Sequence, residues 1–280
     1  MTAVEALGRR VLLAAGYRSR HVDSDVGRVH VWTAEGGGDL PPLVLFHGLG
    51  ASAMHWAPML QALRPRVSAV VAMDLPGHGL SDRVPELTLD GLRAGVDAAM
   101  DAVAHAPAVV VGNSLGGAVA VRWVLSRPER VRGAVLFSPA GAPMSAEELA
   151  GVQEVFRIEG HADAVRFVRQ LHGRPVGLRA HFLAPLLRRS LADPVLQAWL
   201  HRVSDADFLA PAELAGLPVP VRVVGGLQER ILPLAGRDFW RAHLPAGSEV
   251  VEPDGFGHSP FLDDRAWTAR QVLDFAARVA

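Results

Sequence analysis

The stretch VVVGNSLGGAVAVRW, residues 109–123, decides the fold. Its first four residues form a continuous apolar run, which suits a strand buried on both faces. From Leu115 to Ser126 the apolar positions follow a helical pattern. Between the two lies Gly112-Asn113-Ser114-Leu115-Gly116, a G-x-S-x-G step. A tight strand-to-helix turn at this point lifts the Ser114 hydroxyl above the edge of a sheet. Small residues at 112 and 116 let neighbouring backbone approach. The helix N-terminus offers backbone donors to a developing anion. A serine here can also serve only as a helix cap. Asn113 reads as a turn residue or a supporting hydrogen-bonding group rather than a direct participant.

Outward from this step, strands and helices alternate. Residues 28–32 alternate in polarity and read as a half-buried strand, and Gly36–Gly38 as a turn. PPLVLFHG is a buried strand ending at His47-Gly48, followed by a helix over 53–63. Residues 67–74 form the next buried strand, and 89–105 a helix. VRGAVLFSPAG repeats the strand-to-loop step near Ser138. This alternation predicts a parallel sheet with helices on both faces. From about 142 to 211 no buried strand is evident, and helices are expected near 146–159, 162–171, 176–188 and 194–203. Strands resume at 219–226 and 248–253, with helices near 234–243 and 260–278. Residues 1–141 and 212–280 are therefore expected to form one α/β core, with 142–211 as a helical insertion. Insertions are tolerated where loop ends lie close together.

Composition limits the function classes. The chain has 280 residues, half of them hydrophobic and 20% charged, enough for a substantial core. Its 28 basic and 29 acidic residues give a formal net charge of -1, so no overall field draws it to nucleic acid or anionic lipid. Cysteine is absent, which excludes disulfides and thiol catalysis. The first 21 residues read as a short amphipathic helix. Their apolar run of five after two arginines is too short to span a membrane and poor as a secretion signal, so a cytoplasmic location is expected.

A serine hydroxyl is a weak nucleophile at neutral pH and needs a base, which in turn needs an orienter. DGFGHSPFLDD places His258 in a glycine-rich loop between a strand and the last helix, where a parallel sheet can bring it beside Ser114. VVGGLQERILP puts Glu229 just after the first strand beyond the insertion, placed to orient His258. Glu229 could instead pair with Arg230 at the surface. Asp254, four residues before His258, is an alternative orienter.

HGLG (47–50), DLPGHGLS (74–81), GNSLGG (112–117) and GFGHSPF (255–261) together resemble the α/β-hydrolase superfamily, in its capped, serine esterase- or lipase-like branch. The resemblance implies a mostly parallel central sheet flanked by helices, with a helical cap inserted after the sixth strand. The order Ser114, Glu229, His258 agrees with it. It implies an oxyanion hole built from the backbone N–H groups of Leu49 and Leu115, and structural roles for His47 and Asp74. One departure stands out. Relatives commonly carry aspartate in a G-x-x-D-x-x-x-P setting, where this chain has Gly226, Glu229 and Pro233. Glutamate is one methylene longer, so its backbone must sit farther back or its side chain must bend.

The reading is a serine hydrolase of a small or medium carboxylic ester with an apolar part, requiring no metal or organic cofactor. Thioester, amide or carbon–carbon hydrolysis, cofactor-free perhydrolysis, and a non-enzymatic ligand receptor are the alternatives. Ser114 argues against the superfamily members that use an aspartate nucleophile. Phe156, Phe167, Leu171, Phe182, Leu183, Leu186, Leu187, Trp199 and Phe208 lie in the insertion, and some of them should face a cavity beneath it. His161, His172, His181 and His201 there lack clustered acidic or cysteine partners and do not suggest a metal site. GLGASA at 48–53 superficially fits a dinucleotide-binding step but leaves Ser114 and His258 unexplained.

Overall fold

The computed structural model describes residues 3–104 and 106–280. Eight strands form one sheet: β1 (Arg18–Val22), β2 (Val29–Glu35), β3 (Leu43–Phe46), β4 (Ala69–Met73), β5 (Ala108–Asn113), β6 (Val131–Phe137), β7 (Val221–Val224) and β8 (Glu249–Val251), in the spatial order β1-β2-β4-β3-β5-β6-β7-β8. β2 runs antiparallel to both β1 and β4, and every other neighbouring pair is parallel.

The apolar runs of β3 and β5 are buried on both faces. Leu43 and Leu45 pack with Val109, Val111, Trp56 and Phe275 on one side. Val44 and Phe46 pack with Val110, Leu136 and Trp123 on the other. This two-residue period follows from strand geometry.

Helices cover both faces: α1 (Ala3–Ala14), α2 (Ala57–Leu63), α3 (Leu89–Val103) and α4 (Leu115–Ser126) lie between or before the first six strands. The chain leaves β3 toward α2 on one face, and leaves β5 into α4 on the other. Such a divergence opens a crevice at the carboxyl ends of the strands. α4 is buried almost all round, with only Arg122, Leu125 and Ser126 less than fully covered.

Between β6 and β7 the described chain is helical: α5 (Ala146–Phe156), α6 (His161–Leu171), α7 (Arg179–Leu191), α8 (Pro194–Arg202) and the short α9 (Pro211–Ala215). α6 packs on α7 and α5 on α8, forming a cap over the crevice. After β7 come α10 (Ala235–His243), α11 (Pro260–Asp263) and α12 (Arg265–Arg278).

Three local expectations change. The opening helix ends at Ala14, Gly16 turns the chain at φ 82°, and Arg18–Val22 is an edge strand with a mostly polar sequence. The helix expected over 260–278 is two helices, because Asp264 accepts from the Trp267 N–H and caps a new start. α3 ends at Val103, and His105, the expected end of that helix, lies outside the described residues. No helix among the described residues is long and apolar enough to cross a membrane.

Candidate active site

Ser114 sits at the junction of β5 and α4 with φ 55° and ψ -121°. A positive φ is unfavourable for any residue with a Cβ, and such strain persists only where the surroundings enforce it. Here they do. The Ser114 N–H donates to Phe137 O at 3.0 Å, and the Ser114 carbonyl accepts from Gly117, Ala118 and Ala140. Gly116 lies so close to β3 that a Cβ there would collide with the carbonyls of Phe46 and His47. The Ser114 side chain makes no capping bond to its own helix. The hydroxyl is therefore not spent on holding the turn.

His258 occupies the β8–α11 loop and is 3% exposed. Its Nδ1 lies 2.8 Å from Glu229 Oε2. The ionised carboxylate makes Nδ1 the donor, and the ring's free nitrogen is Nε2. Ser114 and His258 line one cavity of about 200 Å³.

Glu229 follows β7 in a turn closed by its N–H to the Gly226 carbonyl. Oε1 accepts from the N–H groups of Ile231 at 2.8 Å and Leu232 at 3.2 Å, and Oε2 faces His258. The longer side chain thus folds back over its own turn. Burial pushes the Glu229 carboxyl up, but the charge and hydrogen bond of His258, with the Ile231 amide, hold it below the ordinary carboxylate value. The Ser138 hydroxyl, outside strict hydrogen-bond geometry, adds a smaller pull in the same direction. Among the described residues Glu229 forms no ion pair with Arg230. Asp254 accepts instead from Gln228 Nε2 at 2.8 Å, on the outside of the same turn. The structure brings Glu229, not Asp254, to His258.

Leu49 and Leu115 flank Ser114, Leu49 in the loop after β3 and Leu115 as the first residue of α4. Both line a second cavity of about 70 Å³ that Ser114 also borders. His47 anchors the first of these loops. Its Nδ1 lies 2.8 Å from Gly48 O, and its Nε2 accepts the Leu75 N–H at 3.0 Å. Burial and the neighbouring His78 push its pKa down to about 3, so it is neutral with the proton on Nδ1. Asp74 accepts from the Ala53 N–H at 2.6 Å and the Leu80 N–H at 3.1 Å, and pairs with His30 at 2.8 Å. Burial pushes the Asp74 carboxyl up, and the bond from His30 reverses this to a lowered value. Both side chains hold loops.

Eight of the nine apolar insertion residues line the two cavities. Phe167, Leu171, Leu183, Leu186 and Leu187 face the larger one, Trp199 and Phe208 the smaller, and Phe156 borders both. Phe182 is 80% exposed. No group of three or more His, Cys, Asp or Glu among the described residues is placed to hold a metal ion. Asn113 acts as a supporting hydrogen-bonding group, and Asp263 adds a contact in the site that the sequence did not signal. Asn113 Nδ2 donates to Phe137 O at 2.9 Å and to the His258 carbonyl at 3.1 Å. Asp263 accepts from the Gly257 N–H beside His258.

A family model described as the alpha/beta hydrolase family matches residues 43–271. The pimeloyl-[acyl-carrier protein] methyl ester esterase of Pectobacterium atrosepticum is 31% identical, over 88% of this chain and 97% of its own. The enzyme of the same name from Nitrosomonas europaea is also 31% identical, over 84% and 94%. Among solved structures, the 2-hydroxy-6-oxo-6-phenylhexa-2,4-dienoate hydrolase of a Rhodococcus strain superposes with a TM-score of 0.81 at 25% identity, covering 94% of this chain and 99% of that one.

Proposed function

This chain belongs to the alpha/beta hydrolase family, and from that premise we propose that it is a serine hydrolase working through Ser114, His258 and Glu229. The observation that carries the reading is the 2.8 Å pair of His258 and Glu229, with His258 on the wall of the cavity that the strained Ser114 also lines. His258 Nε2 takes the Ser114 proton as Oγ attacks a carbonyl carbon. The N–H groups of Leu49 and Leu115 receive the oxyanion. His258 then protonates the leaving group, and water activated by the same ring releases the acyl group. Glu229 stays ionised throughout, as its lowered pKa requires.

The two cavities meet at Ser114 and suggest where the substrate's arms go. A leaving group has to lie on the His258 side, because it collects its proton there. His258 lines only the larger cavity, so the leaving group occupies that space and the acyl arm the smaller one. Both linings are mostly apolar and hold no arginine, and Asp207 at the smaller one opposes an anionic acyl arm, which favours neutral, apolar arms. A carboxylic ester with apolar acyl and alcohol parts fits best, and the two esterases at 31% identity support ester chemistry. The likeness to a hydrolase acting on a dienoate favours a second reading, carbon–carbon hydrolysis of a ketone.

Two measurements test this. Incubation with a fluorophosphonate should add one phosphonyl group, on Ser114, with loss of fluoride; an unmodified mass would make the protein a ligand receptor instead. A panel of p-nitrophenyl esters, a thioester, an amide and a 2-hydroxy-6-oxohexa-2,4-dienoate should show turnover of esters above the rest. Preferential cleavage of the dienoate would establish the second reading.

A further inference from the structure

The loop that carries His258 is fastened to the cap as well as to the sheet. Asp263, at the end of α11, receives the Gly257 N–H on Oδ2 at 2.9 Å, and Gly257 immediately precedes His258. The same carboxylate receives the Gly173 N–H at 3.0 Å on both oxygens, and Gly173 lies in the cap just beyond α6. On the other side of His258, the Ser259 N–H donates to the carbonyl of Leu171, the last residue of α6, at 3.1 Å.

The two chain segments meet backbone to backbone. A Cβ on Gly173 would lie inside the contact distance of the Phe256 backbone, and a Cβ on Gly257 inside that of His172 and Gly173. Neither segment has room for a side chain at the contact. The end of α6 also walls the larger cavity through Leu171 and His172.

We propose that Asp263 is a positioning residue that locks the His258 loop to the α6 end of the cap, fixing the imidazole relative to Ser114. The proposal rests on the serine hydrolase reading for its effect on turnover, and on the hydrogen bonds alone for the lock. Oδ2 accepts from both glycine amides and Oδ1 shares the Gly173 N–H, so the Gly173 amide lies 3.0 Å from each oxygen. An asparagine retains the shape, but in either orientation its NH2 is set against the Gly173 N–H, two donors facing each other. An alanine removes both acceptors and admits water, because Asp263 is only partly buried. Asparagine should therefore be the worse substitution, the reverse of what side-chain volume predicts.

Asp263→Asn should lower kcat at least tenfold with KM within twofold, and Asp263→Ala should lower it less. Gly173→Ala, which pushes the cap off the loop, should also lower kcat. Combined with Asp263→Asn it should cost no more than the worse single variant, since both break one contact. Amide exchange at Gly173 and Gly257 should accelerate in Asp263→Asn, with exchange in β3 and β5 unchanged. A kcat within twofold of the parent, a loss carried wholly by KM, or multiplying losses in the double variant overturns the positioning role. If the parent hydrolyses nothing and takes no fluorophosphonate, the serine hydrolase reading has failed separately. The exchange rates then decide the lock alone: acceleration at the two glycines upholds it, and unchanged rates refute it.

Discussion

Asn113 Nδ2 donates to the backbone carbonyl of His258 at 3.1 Å, joining the residue before the nucleophile candidate to the base candidate itself. A second donation from the same nitrogen, to Phe137 O at 2.9 Å, spans to the neighbouring strand. One side-chain amide thus sets the spacing of the elbow, β6 and the His258 loop.

Replacing Asn113 by aspartate tests that relationship. The carboxylate would face two carbonyl oxygens in a buried setting, with no proton to offer. Losing these bonds while burying an unpaired group costs about 1–3 kcal/mol. Asn113→Asp should lower the melting temperature and reduce kcat ten- to a hundredfold, read by calorimetry and ester turnover on one preparation. Asn113→Ala, which buries no charge, should lose less stability.

Ser114 offers a pair of variants with opposite structural consequences. Ser114→Ala removes the hydroxyl and keeps the Cβ at φ 55°, so turnover and fluorophosphonate labelling vanish while the melting profile holds. Ser114→Gly also abolishes turnover but relieves a backbone strain of about 1–3 kcal/mol, partly offset by the greater freedom of an unfolded glycine. Its stability should equal or exceed that of Ser114→Ala in urea denaturation. Ordinary activity in purified Ser114→Ala would remove Ser114 as the nucleophile.

Glu229→Gln removes the charge that orients and supports the His258 imidazolium while leaving a similar shape. By analogy with other serine triads, kcat should fall by about three to four orders of magnitude. Asp254→Asn, whose side chain accepts from Gln228 and not from His258, should stay within about twofold of the parent. The reverse result would move the acid to Asp254.

The pH dependence of stability follows from the same lowered carboxyls. The folded pKa values of Asp74 and Glu229 lie below their ordinary ones. A depressed carboxyl stabilises the fold above its unfolded pKa, about 4, and that contribution is lost as pH falls toward the folded value. Asp74→Asn should therefore be clearly less stable than the parent at pH 7. The gap should narrow from about pH 4 downward, where the parent protonates and the variant has nothing to protonate. Urea midpoints at pH 7 and pH 3 measure it, and a gap that widens in acid would contradict the sign.

What the sequence disclosed divides along physical lines. β3 and β5 were readable because burial on both faces demands an unbroken apolar run, and the elbow because its glycines mark where backbone must come close. β1 was not readable, since RSRHV is an edge strand held by backbone pairing to β2, with side chains that water accepts. The break between α11 and α12 hangs on one capping aspartate inside an otherwise helical pattern. Among the site residues, Ser114, Glu229 and His258 stood out because their chemistry is rare in such positions. Asp263 did not, because its partners are main-chain amides of glycines distant in sequence, and no residue type announces those.

The two cavities make the most demanding prediction. Val152 lines only the smaller and Leu187 only the larger. Filling one with tryptophan should shorten one arm of the accepted ester and leave the other arm alone. Val152→Trp should lose kcat/KM for long acyl chains by tenfold or more, since each methylene in a fitted apolar pocket is worth about 1–3 kcal/mol. Its preference among acetate esters of different alcohols should not change. Leu187→Trp should do the opposite, losing bulky alcohols and keeping the acyl profile. Insertion into a vacant space should spare stability more than overpacking a filled core, which costs about 1–3 kcal/mol. If both variants discriminate against the same arm, the cavities form one binding space, and the placement of the leaving group beside His258 is wrong.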